Sequence, residues 1–179
     1  MKTNLYTVTV LPMTKMLESS LGILDKAAAH AASKQLEWQP AGMQESSLLN
    51  SHLIFSQFGF IKQIQVACDN AKNGVARLAK MEPPKHEDNE KTVLELKSRV
   101  EKTLAFLKTI KPENLDGGED VIVTLLHHPG KSLSGFDYAT LYLMPNFYFH
   151  MTTAYAILRK NGVDLGKTDY LNNIPWQNV

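Results

Sequence analysis

The sequence predicts an all-α protein, an antiparallel four-helix bundle with a short β-hairpin before its last helix, and three observations support this. Four long stretches repeat apolar residues at three- and four-residue steps. Three of the stretches end at proline or an Asn-Gly pair. One β-branched run, Val121-Ile122-Val123-Thr124-Leu125, stands apart from the helical pattern.

The first helix is expected over residues 8–32, where Met13, Leu17, Leu21, Leu24, Ala28 and Ala31 mark one face and Pro12 suits an early turn. Residues 35–51 form a connection with one short turn of helix over 45–49. The second helix, residues 55–81, carries the stripe Phe58, Ile61, Ile64, Cys68, Ala71, Val75 and Leu78, and Pro83-Pro84 closes it. The third, residues 89–110, is striped by Val93, Leu96, Val100, Leu104 and Leu107, with Glu95 and Arg99 placed for an ion pair one turn apart. Residues 119–134 read as a hairpin around Pro129-Gly130. The fourth helix, residues 136–160, ends at Asn161-Gly162 and is apolar nearly all round, so neighbours are expected to enclose it. A tail follows from 163 to 179, and the whole chain, residues 1–179, forms one domain.

Composition excludes several functions. Nineteen basic and 18 acidic side chains leave a formal charge of +1, and they are interspersed, which gives no electrostatic case for nucleic acid or an anionic membrane. Residues 138–158 lack formal charge but hold Thr140, Asn146, His150, Thr152 and Thr153, too many polar groups for a spanning helix. The single cysteine rules out an internal disulfide, and the first residues lack the run of a secretory signal, so a cytoplasmic setting is expected.

Polar residues on the core line of the fourth helix form the candidate site. Its face reads Phe136, Ala139, Leu143, Asn146, His150, Thr153, Ile157, with Asn146 and His150 one turn apart. Gln65 and Asp69 stand one turn apart on the flank of the second helix. One reading makes His150 and Asp69 acid/base groups or, with Asn146, ligands to a divalent metal, since imidazole and carboxylate suit such ions. Gln65, Asn146, Tyr148 and Tyr155 would then position a small-molecule ligand. The other makes His150 a buried histidine satisfied by Asn146, Asp69 or a carbonyl. His127-His128 and Cys68 are weaker candidates: adjacent strand residues face opposite ways, and Cys68 lies on an apolar stripe as an inert thiol.

The stretches KAAAHA, QIQVACDNAK, MEPPKHEDNEKT, KTLAFL and PNFYFHMTTAYAILRKNGVDLGKTDYL resemble an uncharacterised bacterial family of unknown function. That family sits within the DinB/YfiT-like superfamily of proposed metalloenzymes. The resemblance implies a DinB-like four-helix bundle, a homodimer, and an interhelical site that in many members holds a divalent metal on three histidines. Some members are thiol transferases and others hydrolases. The helix-four histidine positions of the superfamily look like Asn146 and His150 here, and the second helix offers Gln65 and Asp69 with no histidine. The resemblance therefore implies either a degenerate metal or small-molecule site centred on His150, or a non-catalytic dimeric binding or interaction protein whose ancestral site has become structural.

Overall fold

The computed structural model describes residues 3–172 and 174–178. The described chain is mostly helical, with one small antiparallel sheet of two strands. Its principal elements are α1 (Leu11–Lys34), α2 (Met43–Leu49), α3 (Phe60–Leu78), α4 (Val93–Thr109), β1 (Ile122–Thr124), β2 (Ser132–Ser134), α5 (Gly135–Asp137), α6 (Met144–Lys160) and α7 (Lys167–Tyr170). Helix α3 packs on both α4 and α6, and α1 packs on α4 and, less extensively, on α6.

Two helices are longer than their regular parts. A π-helical stretch, Tyr6–Val10, leads directly into α1, and another, Tyr138–Leu143, leads from α5 into α6. Each ends two residues before a proline, Pro12 or Pro145. Proline lacks the N–H that would bond four residues back and its ring crowds that carbonyl, so a widened turn upstream relieves both problems. The expected fourth helix is therefore continuous past Pro145, with a local widening.

Helices α3 and α6 run antiparallel, as their paired positions show: Gln63 meets His150, Asn70 meets Asn146, and Arg77 meets Tyr138. Gly74 sits opposite Leu143 so closely that a Cβ there would stand 2.3 Å from Leu143 Cδ1. A small residue is needed at that crossing because the two backbones approach over a fully buried leucine.

The expected second helix begins later than its apolar pattern suggested. Gly59 is extended (φ −69°, ψ 172°), and the Phe60 N–H bonds the Ser51 carbonyl, so the chain turns before the helix starts. Phe55 and Phe58 consequently lie exposed outside it. The third helix begins at a capping box in which Thr92 and Glu95 satisfy each other's backbone N–H groups.

That cap corrects a second expectation. Glu95 is occupied at the helix start, and Arg99 turns into the protein with a side chain only 1% exposed. The fourth helix is also not fully enclosed: Phe136, Leu141 and Phe149 are exposed.

The hairpin pairs Ile122 with Ser134, Val123 with Leu133 and Thr124 with Ser132. Its base is pinned where Gly135 meets the Gly118 carbonyl, an approach a Cβ would block at 1.8 Å. In the tail, Lys26 bonds Asp169 at 2.7 Å and Ser19 donates to the Asn172 carbonyl, fastening α7 to α1. No described helix is long and apolar enough to cross a membrane.

Candidate functional site

His150 is buried, and its Nδ1 lies 2.7 Å from Gln63 Oε1. Gln63 is fully buried and its Nε2 donates to the Phe58 carbonyl at 2.9 Å, which turns the amide oxygen toward the imidazole. Nδ1 must therefore carry the proton, leaving Nε2 as the lone-pair nitrogen. Burial holds the His150 pKa below the ordinary histidine value, so the ring is neutral at pH 7. Nε2 has no hydrogen-bond partner among the described residues.

The other predicted residues are near the same helices but engaged separately. The Asn146 amide donates to Asn70 Oδ1 at 3.2 Å. Asp69 accepts from Arg99 at 2.8 Å and pairs with Lys72 at 3.2 Å, and no hydrogen bond or ion pair joins it to His150. Gln65 is buried and donates to Glu90 at 2.8 Å. Tyr148 is partly exposed against Phe147, and burial followed by Tyr170 raises its pKa. The Tyr155 ring meets Tyr170 edge-on at 5.8 Å. The expected convergence of Asp69, Asn146 and His150 is thus resolved into three separate contacts between helices.

The largest polar assembly centres on Arg99, which pairs with carboxylates of α3 and the 85–90 linker and not with Glu95 as its spacing predicts. Its guanidinium reaches Asp69, Asp88 and Glu90 at 2.8–3.0 Å and the Glu87 and Gln65 carbonyls at 3.2 and 3.4 Å. Lys62 adds a bond to Asp88 at 2.6 Å. Three cations, Lys62, Lys72 and Arg99, therefore meet three carboxylates, which satisfies the requirement that a buried charge be paired. Burial alone would raise Glu90, but bonds from Gln65 and Arg99 outweigh it and hold its carboxyl below the ordinary range. The result straps the 85–90 linker across α3 and α4.

His86 lies in that strap with neither ring nitrogen partnered among the described residues. Burial, aided by Arg99 and Lys72, pushes its imidazole down to about 4. Cys68 is fully buried, and burial pushes its thiol up to about 12, as expected for an inert core cysteine.

The donor set does not fit a divalent metal. Among the described residues no group of three or more His, Cys, Asp or Glu side chains could hold an ion. The partner of His150 is a neutral amide, and the predicted carboxylate, Asp69, is committed to two cations.

Comparison with known proteins agrees with this architecture. Residues 5–171 match the model for a domain of unknown function, DUF1993. The chain belongs to the DUF1993 family. It is also similar to a crystal structure of a DinB family member protein from Shewanella denitrificans, at 39% identity and a TM-score of 0.86. That alignment covers 99% of this chain and 100% of the other. No curated protein matches the chain. The family and the DinB-like likeness are those the sequence motifs implied.

The burial of Gln63 and of Arg99 has a signal in the spacing of each helix. Gln63 falls on the core line Phe60, Gln63, Ala67, Ala71, Gly74, Leu78, and Arg99 on the line Leu96, Arg99, Thr103, Leu107. A polar residue on such a line needs a buried partner.

Proposed function

We propose that this DUF1993 protein is a non-catalytic binding or interaction protein built on a DinB-like antiparallel four-helix bundle. In it, the positions of the superfamily's metal site have become structural contacts between helices. The observation that carries this reading is the His150–Gln63 bond, because it uses a buried histidine to join α3 to α6. Asn146 with Asn70, and Asp69 with Arg99, extend the same use of polar residues along α3.

The reading includes a homodimer in the cytoplasm. Its support is the uncharged outer face of the last helix, where Leu141 is 71% and Phe149 53% exposed. Such a face is what two copies would cover together.

A double-mutant cycle tests the structural role. His150→Leu and Gln63→Leu should each destabilise by about 1–3 kcal/mol by orphaning a buried polar partner. The double variant should recover part of that loss. Singles without effect, or losses that simply add, would refute it.

One observation favours a second reading, acid/base or ligand-binding chemistry at His150. Its neutral Nε2 has no described partner and could accept a proton or a hydrogen bond from a small molecule. On that reading Asp69, Asn146, Gln65, Tyr148 and Tyr155 would be supporting residues. His150→Ala would then abolish ligand binding in addition to the stability lost with its bond to Gln63.

A further inference from the structure

We propose that a cleft between the β-hairpin and the π-helical segment of the last helix binds a small organic carboxylate with an aromatic or branched aliphatic body. This goes beyond the proposed function and involves none of the residues around His150.

The site follows from local chemistry. On the inner side of the hairpin, Val123 and Leu133 face each other across the strands, and with Leu125 they form an apolar floor. Tyr142, from the widened helical segment, and His128, from the hairpin loop, form the walls of a cavity of about 320 Å³. That size accommodates a ligand of ordinary metabolite dimensions. Both walls are braced. The Tyr142 ring stacks on Tyr138 at 5.8 Å and 20°, and its other neighbour, His128, meets it edge-on at 6.4 Å and 89°.

The loop is shaped to hold His128 there. Backbone bonds from His128 N–H to the Leu125 carbonyl (2.9 Å) and from Lys131 N–H to the His128 carbonyl (3.1 Å) make two consecutive turns that share His128. The second turn has Pro129 followed by Gly130 at φ +74°, the pair such a reversal requires. The π-helical widening matters too, because such segments recur at functional sites and this one supplies Tyr138 and Tyr142.

Charge decides the class of ligand. A second cavity of about 440 Å³ lies beside the first, sharing His128 and Lys131 and adding Arg77, Ile122 and Leu126. Among the described residues, Lys131 lines both cavities, Arg77 lines only the second, where it donates to the Tyr138 hydroxyl at 3.4 Å, and no Asp or Glu lines either one. An apolar floor with aromatic walls and a cationic rim complements an amphipathic anion, whose body would be desolvated while its carboxylate met the rim.

Phenylacetate is the probe, with phenylacetamide as its neutral isostere and inorganic phosphate as an anion without a body. Titrated into the full chain and followed by amide NMR, phenylacetate should saturate at millimolar concentration or below, the range for so small a ligand. Shifts should cluster at residues 121–133 and 138–142. Phenylacetamide, and phenylacetate with Lys131→Gln, should bind about tenfold more weakly. Lys131 is exposed, so that variant leaves the fold intact, and Tyr142→Ala offers a second route to the same loss. Equal affinity for acid and amide, binding of phosphate as tight as phenylacetate, shifts centred elsewhere, or no saturation by about 10 mM would each overturn the proposal.

Discussion

Arg99 Nη2 lies 2.8 Å from Asp69 Oδ1, so the carboxylate expected to face His150 on one side of α3 is held by α4 on the other. This one pairing explains why the polar residues do not converge. Helix α3 is shared between two neighbours, and Asp69 turns toward one while Gln63 and Asn70 turn toward the other.

Removing Arg99 should be costly. Arg99→Met leaves Asp69, Asp88 and Glu90 without their shared guanidinium, and breaking a buried pair from one side typically costs about 3 kcal/mol or more. Arg99→Lys should recover only part, because an ammonium cannot fork to several oxygens. Urea unfolding of both variants checks this.

Acid should loosen the linker strap. An unfolded His86 takes up a proton near its ordinary 6.5, whereas in the folded chain it waits until about 4. Between those values the unfolded state holds more protons, so stability falls as pH falls. Asp88, through Lys62 first, and Glu90, through Gln65 and Arg99 against the opposing effect of burial, titrate below their ordinary 3.8 and 4.5. Their stabilisation is therefore full above those values and is lost at still lower pH. Thermal melts should show a decline of about 2–4 °C between pH 7 and 4.5, allowing for solvent screening, and His86→Gln should flatten it.

Gly74→Ala sets two effects against each other. Alanine gains about 1 kcal/mol of helix propensity over glycine. Its Cβ, however, would stand 2.3 Å from a methyl of Leu143, which is only 1% exposed and has no room to swing away. Overpacking of that kind costs about 1–3 kcal/mol, so net destabilisation is expected in chemical unfolding.

The proposed dimer depends on the outer face of the last helix. Leu141→Glu with Phe149→Glu should turn a dimer into a monomer in sedimentation at micromolar concentration, with helicity unchanged, because both positions are already solvent-exposed in the single chain. A wild-type chain that sediments only as a monomer would remove this part of the reading.

Much of this architecture was legible from spacing alone. Four runs of apolar residues and the β-branched run at Val121 located the helices and the hairpin, because core burial imposes those periods. Helix starts were less legible. Gly59 and the Thr92–Glu95 box set them locally, while Phe58 merely happened to fall in phase with the stripe. The candidate site was legible as a set of polar residues on core faces, and His150 is indeed buried. Which partner each residue takes was not, because that depends on which neighbour α3 presents each face to. Periodicity along one helix carries no such information.

Zinc titration of untagged protein decides whether the interhelical positions act as fasteners or as a metal site. Calorimetry and elemental analysis should be combined with NMR of the His150 ring. Fasteners give less than about a tenth of an equivalent of metal per chain, no saturable zinc binding, and a ring that keeps its Nδ1–H tautomer throughout. One equivalent bound per chain, abolished by His150→Ala and accompanied by a shift of the His150 Nε2 resonance, would contradict it.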